Sequence, residues 1–347
     1  MQDTERTIEF EFVRATENAA LTTVHWLGRG EKELADAAAC DAIYGVFDKV
    51  NICGEVIIGE GIKDNAPGIF LGDQLGTWRA GSPHFDIALD PVDGTSNLAN
   101  GMPNSISVMA ASEVTCGEGR RHNMRNLPSF YGHKLAYGPA VVEAMTHGME
   151  PISLDDPLEK TLPRIAEVLG KRVQELVVVT MNRPRHAGFI DSIRKVGSAL
   201  RLIQDGDIAA AVAPSLPDTG VDVYVGIGGS PEGVLTAAAL KCLGGGMLLR
   251  MWPRDEEEKA SLLDGGETEL DRVFSIDDLV TGNSALFCAT GISDSSLLPG
   301  VKLVGSKAIT HSILMRARSR TVRYIRAVHD LKTKTVHLRS DRSDHAL

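Results

Sequence analysis

Apolar residues recur at three- and four-residue steps through residues 8–27 and again through 33–50, the spacing of amphipathic helices with one buried stripe. Gly28-Arg29-Gly30 breaks the pattern between them. The period then shortens to that of strands at Glu55–Ile58, Phe85–Leu89 and Ile106–Ala110. From about residue 160, helical and extended patterns alternate. Leu162–Leu169 and Phe189–Lys195 are helical, Leu176–Thr180, Leu200–Ile203 and Val221–Val225 are extended, and Pro231–Leu243 is an Ala-rich helix. That alternation predicts an α/β fold, a mostly parallel sheet with helices on its faces. A stretch containing Gly, Pro and Asp near 148–160 marks the lobe boundary, giving an N-terminal lobe of residues 1–155 and a C-terminal lobe of 156–333. Residues 254–273 are acid-rich and read as an exposed helix or loop, and 334–347 as a flexible tail.

The 347 residues suffice for two packed lobes, and 43% apolar with 24% charged residues is an ordinary globular balance. A net charge of −10 opposes non-specific nucleic-acid binding. The five cysteines form no C-x-x-C pair, which excludes zinc-knuckle and thioredoxin readings and leaves buried thiols in a reducing compartment. The opening Met-Gln-Asp-Thr-Glu-Arg has no basic and apolar signal pattern, and no apolar run approaches the roughly 20 residues that span a bilayer. A cytoplasmic protein without membrane contact is expected.

Candidate chemistry lies where strands end. Val56–Gly59 leads to Glu60, Phe85–Leu89 to Asp90 and Asp93, Leu202–Gln204 to Asp205 and Asp207, and Val223–Pro231 to Glu232. One Asp after a strand is more often a turn or helix cap than a ligand, and Asp207 and Glu232 fit that reading singly. As a set, acids at carboxyl ends of strands suit a ligand site, and their mutual repulsion calls for cations. Hard oxygen donors suit Mg²⁺ or Mn²⁺ with substrate phosphate completing the shell. The sharpest segment is Asp90-Pro91-Val92-Asp93-Gly94-Thr95. There Pro91 fixes a dihedral, Gly94 permits a tight turn, and the backbone at Gly94, Thr95 and Ser96 can meet a phosphate. An EF-hand fails because Gly101 stands where the bidentate Glu belongs, and a dinucleotide fingerprint fails at Pro231.

Asp90–Thr95 resembles the D-P-x-[DE]-G-[TS] signature of the metal-dependent, lithium-sensitive sugar phosphatases. The remainder, over roughly residues 8–330, is similar to the class II fructose-1,6-bisphosphatases, a branch that includes fructose/sedoheptulose bisphosphatases. The likeness rests on Gly28–Lys32 with Asp36, Val56–Gly61, Phe130-Tyr131, Arg183–His186, Leu202–Asp207 and Gly226–Gly233. It implies a layered α/β/α/β/α sandwich and a homo-oligomer, dimer or tetramer, that hydrolyses a sugar bisphosphate with Mg²⁺ or Mn²⁺. By the same resemblance, Asp36, Glu60, Asp90, Asp93 and Glu232 hold metal, Thr95 activates the attacking water, and Asp93 and Lys32 assist. Asp93, Gly94, Thr95, Tyr131, Arg183, Pro184, Arg185, Asp205, Gly206 and Asp207 bind the sugar phosphate.

The chain departs from many relatives at Asp93 (commonly Glu), at Ile62 and Asn65 (commonly Glu) and at Asn182 (commonly Asp). An inositol-monophosphatase-like enzyme is the nearest rival, but Trp26, Trp78 and Trp252 are not followed by the Asp that its second motif needs. A non-catalytic sugar-phosphate-binding protein is disfavoured by the presence of both Thr95 and Glu232. The basic stretch from Lys302 to Arg342 lacks an aromatic platform, so a structural or subunit-interface role is expected there rather than nucleic-acid binding.

Overall fold

A computed structural model describes residues 4–59, 68–114, 122–264, 266, 268–339 and the backbone of 344–346. It divides into two compact units, residues 1–125 with 281–347, and residues 126–280. The boundary expected at 155 therefore falls inside the second unit, and the chain re-enters the first at 281, a return that no local composition marks.

In chain order the first unit opens with helices α1 (Thr4–Thr23) and α2 (Lys32–Phe47) and strands β1 (Cys53–Ile58), β2 (Gln74–Leu75) and β3 (His84–Asp93). Helix α3 (Thr95–Ala99) and strand β4 (Ile106–Val114) follow. The second unit runs β5 (Tyr131–Tyr137), α4 (Pro139–Thr146), α5 (Leu158–Val168), β6 (Val177–Met181), α6 (Ala187–Val196), β7 (Ala199–Ile203) and α7 (Asp207–Val212). It ends with β8 (Val223–Gly229), α8 (Ser230–Leu243), β9 (Gly246–Met251), α9 (Glu256–Asp264), β10 (Phe274–Ser275) and α10 (Ile276–Leu279). Back in the first unit come β11 (Leu286–Gly291), β12 (Lys302–Val304), β13 (Lys307–Arg316), β14 (Thr321–Asp330), β15 (Thr335–His337) and β16 (Asp344–Ala346).

The first sheet has the order β12-β13-β11-β4-β3-β1-β2, with β14 on the other side of β13. Of these pairings β1–β3 is parallel and the others antiparallel. The core on its helical side joins Ile8, Phe12, Ala15 and Ala19 of α1 and Ile43 and Phe47 of α2 to Phe85, Ile87 and Leu89 of β3. Phe12 and Phe47 meet edge to face at 5.1 Å. The stripe of α1 that faces the sheet also carries Glu5 and Glu9, both buried, and their charges meet Arg316 of β13 at 3.1 and 3.5 Å. Arg318 reaches Glu5 and Glu113, and Arg323 reaches Glu9. The arginine run of the basic stretch thus ties β13, β14 and the turn between them to the first helix. Residues 335–337, expected to be tail, form β15, which crosses α2 at Gly45, where a Cβ would lie 1.8 Å from the His337 carbonyl oxygen.

The second sheet has the order β10-β9-β5-β8-β6-β7. The predicted parallel unit is present as β6, β7 and β8, and antiparallel β5, β9 and β10 make the whole sheet mixed. Helices α5 and α6 cover one face through Leu162, Ile165, Ala166 and Ile193 against Leu135, Val178 and Val225. Helices α7 and α8 pack against β5 and β8, so this unit is layered helix–sheet–helix. Cys40, Cys53, Cys242 and Cys288 are buried, as small apolar side chains.

Candidate active site

In the first unit the signature segment does not follow β3 but forms its end. Asp90 lies opposite Val108 and Asp93 opposite Ile106, so three steps along β3 match two along β4, and the extra residue makes a bulge. The Val92 N–H donates to Asp90 Oδ1 at 3.0 Å, which sets one carboxylate at the bulge. Asp93 is 6% exposed. Gly94 then turns the chain with φ +86°, a left-handed conformation, and the Ser105 hydroxyl donates to its carbonyl at 2.9 Å. A Cβ there would stand 2.5 Å from the Asn104 carbonyl oxygen, so the left-handed turn and this close approach both require glycine at 94. Thr95 is half-buried as the first residue of α3.

The loop before α2 is clipped to this turn, because the N–H groups of Gly28 and Gly30 donate to the carbonyls of Leu98 and Ala99 at 2.8 and 3.0 Å. It delivers Lys32, whose Nζ donates to Ser96 Oγ at 2.9 Å. Asp36 is one turn further along α2, on the face that Lys32 presents to α3. Lys32, Asp36, Asp90, Asp93, Gly94 and Thr95 therefore belong to three adjoining element ends. Glu60 lies outside the described residues, as do Ile62 and Asn65. Among the described residues no three His, Cys, Asp or Glu side chains form a group able to hold an ion. The donor chemistry nonetheless fits Mg²⁺ or Mn²⁺, since Mg²⁺ is commonly held by one or two carboxylates, such as Asp90 and Asp93 at the bulge, with water and substrate phosphate.

In the second unit the parallel run of β6, β7 and β8 brings their carboxyl ends to one edge of the sheet, and antiparallel β5 starts there with Tyr131 opposite Gly229. Arg183, Pro184 and Arg185 follow β6, Asp205, Gly206 and Asp207 follow β7, and Glu232 follows β8 on α8. The sequence-predicted residues of this unit thus share one edge. Arg185 donates through Nε to the Ile227 carbonyl at 2.9 Å, and its guanidinium lies 4.5 Å from the centre of the Tyr131 ring. Arg254 lies 5.7 Å from the same centre, and Trp252 meets Tyr131 edge to face at 6.5 Å.

A scan of family models matches residues 6–329 to "Bacterial fructose-1,6-bisphosphatase, glpX-encoded". The chain is 38% identical over 344 residues to fructose-1,6-bisphosphatase 1 class 2 of Escherichia coli strain K12, spanning 95% of this chain and 97% of that one. The class 2 enzyme of Shigella flexneri gives the same values. The chain belongs to the bacterial class 2 fructose-1,6-bisphosphatase family. Among solved structures, the extragenic suppressor protein SuhB of Bartonella henselae aligns over 78% of this chain and 93% of its own, with a TM-score of 0.35 and 13% identity. At that distance it adds nothing about the chemistry of this family member.

Within this bisphosphatase the glycines of Gly226–Gly233 have physical reasons that the sequence did not reveal. A Cβ at Gly226 would be 2.5 Å from the Tyr224 hydroxyl, and one at Gly228 1.9 Å from Asp207 Oδ2. A Cβ at Gly229 would be 1.9 Å from Glu232 Oε2. They make room for polar side chains packed against a strand, two of which sequence reasoning missed. One is Lys134, fully buried on β5, whose Nζ is 2.5 Å from Asp207 Oδ2. The other is His186, whose Nε2 accepts the Ile227 N–H at 2.7 Å. Burial, then the neighbouring Arg185 and Arg183 charges, push the His186 pKa down to about 4, which keeps it neutral and accepting. The sequence carried only a faint signal for Lys134, a Lys between His133 and the apolar Leu135-Ala136-Tyr137.

Proposed function

We propose that this protein is a divalent-metal-dependent phosphatase that removes the 1-phosphate of fructose 1,6-bisphosphate. The observation that carries the reading is the match to bacterial fructose-1,6-bisphosphatases across residues 6–329, with the signature segment held in a strand-end bulge. In the first unit Asp36, Asp90 and Asp93, with Glu60, are the acids that would hold Mg²⁺ or Mn²⁺; in the second, Glu232 at the head of α8 is the corresponding acid. When bound, the cation supplies neutralisation of phosphoryl charge and a more acidic water. The hydroxyl of Thr95, the first residue of α3, orients the attacking water. The oxygen of that water forms a bond to phosphorus, the bond from phosphorus to the sugar oxygen breaks, and the proton that the water gives up ends on the leaving sugar oxygen. Lys32, held beside Ser96, offers an ammonium charge to the phosphate. Arg183 and Arg185 suit the second phosphate, since the planar guanidinium grips phosphate through two parallel bonds. Tyr131, Asp205, Gly206 and Asp207 complete the sugar end.

The reading extends to sedoheptulose 1,7-bisphosphate, which differs by one carbon, and to a homo-oligomer, dimer or tetramer, acting in the cytoplasm. Among the described residues no helix is long and apolar enough to cross a membrane. The test is phosphate release from fructose 1,6-bisphosphate, sedoheptulose 1,7-bisphosphate and inositol 1-phosphate, side by side. Turnover of a bisphosphate supports the proposal, and turnover of both settles its breadth. Turnover of inositol phosphate alone would move the protein to the rival branch.

A further inference from the structure

A lysine with no solvent exposure in the middle of a strand requires an explanation, because an ammonium group loses most of its hydration there. Lys134 meets one carboxylate oxygen, Asp207 Oδ2, at 2.5 Å, and the Tyr224 hydroxyl donates to the same oxygen at 3.2 Å. Asp207 is itself 5% exposed, and Tyr224 is fully buried. The facing strand β8 and the first turn of α8 are cleared for the cluster. Beyond the 1.9 Å approach to Asp207, a Cβ at Gly228 would lie 3.4 Å from Lys134 Nζ, and one at Gly233 3.9 Å from Lys134 Cδ. Three glycine positions, 226, 228 and 233, thus border one buried ion pair and its hydroxyl partner.

The cluster ties together three elements that carry the sugar end. Lys134 lies three residues along β5 from Tyr131, Tyr224 lies on the strand that runs to Gly229 and α8, and Asp207 directly follows Asp205 and Gly206. The turn into α7 has a left-handed residue at Gly206, φ +78°, so its course depends on what fixes Asp207 behind it. We propose that Lys134 and Tyr224 are positioning residues for sugar-phosphate binding, acting through Asp207 to hold the Asp205–Gly206 turn in register with Tyr131 on β5. In this assignment Asp207 Oδ2 is committed to the interior and the turn, not that oxygen, meets substrate. The inference rests on the bisphosphatase reading and says which buried groups shape its sugar pocket.

A double-mutant cycle tests it, with Lys134→Met, Asp207→Asn and the two combined, alongside Tyr224→Phe as the milder variant should Lys134→Met not fold. KM and kcat for fructose 1,6-bisphosphate and the thermal midpoint are measured for each. The proposal predicts that Lys134→Met raises KM about tenfold or more with kcat within about threefold, and that Tyr224→Phe raises KM a few-fold at near-parental midpoint. It also predicts that the combined variant regains much of the midpoint while KM stays at the level of the worse single variant. Two outcomes overturn it. One is parental KM in both Tyr224→Phe and the combined variant, which would make the pair structural only. The other is additive KM losses, which would make Asp207 a direct sugar contact independent of Lys134. Loss of the parent's bisphosphate turnover would sink the functional reading instead. In that event calorimetric binding of fructose 6-phosphate to the same variants still decides the positioning role, by weakened affinity in Tyr224→Phe or by none.

Discussion

Replacing Gly94 with alanine isolates how much of the signature turn depends on glycine. Two costs add. Holding an L-residue at φ +86° costs about 1–2 kcal/mol. The new Cβ would stand 2.5 Å from the Asn104 carbonyl oxygen and 3.3 Å from Ser105 Oγ, contacts that only a backbone shift relieves, and such overpacking costs about 1–3 kcal/mol. The expected loss is about 2–5 kcal/mol. Gly72 provides the control, because its φ is +87° and a Cβ there meets nothing within 4 Å. Gly72→Ala should lose only the conformational part, and the difference between the two variants, read from urea denaturation at one temperature, measures the contact. Catalysis should separate them further. The shift that relieves the clash moves Thr95 at the adjoining helix start, and misplacement by about 1 Å can cost about 10²-fold in rate. Equal urea midpoints for the two variants, with parental turnover in Gly94→Ala, would refute the argument that close approach of the β4 end sets this turn.

Arg316→Met should destabilise the protein by about 3 kcal/mol, because it leaves Glu5 and Glu9 buried with their nearest cation removed; Arg318, still 3.4 Å from Glu5, keeps the loss at the lower end. Chemical denaturation checks it, and an unchanged midpoint would contradict the reading of the basic stretch as an internal tether. Thr95→Ala should lower kcat by about 10²-fold or more while KM moves little, measured by steady-state phosphate release; full activity would remove Thr95 from the mechanism. His186 sets a pH dependence. Its folded pKa of about 4 lies below the ordinary 6.5, so the unfolded chain takes up the proton first. Its contribution to stability is complete above pH 6.5 and is lost as pH falls toward 4. The urea midpoint should drop between pH 7 and pH 5 and drop less in His186→Gln, and equal slopes would contradict the buried neutral imidazole.

The site was legible where its determinants are local. Pro91 and Gly94 act within one turn, so Asp90–Thr95 could be read as a carboxylate-bearing turn directly from the residues. Helices α2, α6 and α8 and the parallel strands β6 and β7 follow from periodicity for the same reason. What escaped depends on partners distant in sequence. The strand carrying the signature continues to Asp93 instead of stopping at Leu89, because β4 pairs with it through the bulge. Strand β5 contains a glycine, a histidine and a lysine and does not look like a central strand until Asp207 and Phe189 are placed against it. A structural role for the basic stretch was legible, but not its partners, because the buried Glu5 and Glu9 of α1 lie at the far end of the chain. The return of residues 281–347 to the first unit is a matter of topology, with β11 pairing β4 across more than 150 residues, and no composition shift announces it.

Metal-dependent cleavage at the 1-position can be followed by phosphorus NMR of the purified protein acting on fructose 1,6-bisphosphate, with Mg²⁺ or Mn²⁺ present and then with EDTA in excess. Inorganic phosphate and fructose 6-phosphate should appear in equal amounts with metal, and the substrate spectrum should stay unchanged with EDTA. An unchanged spectrum with metal, cleavage that persists in EDTA, or accumulation of fructose 1-phosphate would contradict the proposed cleavage.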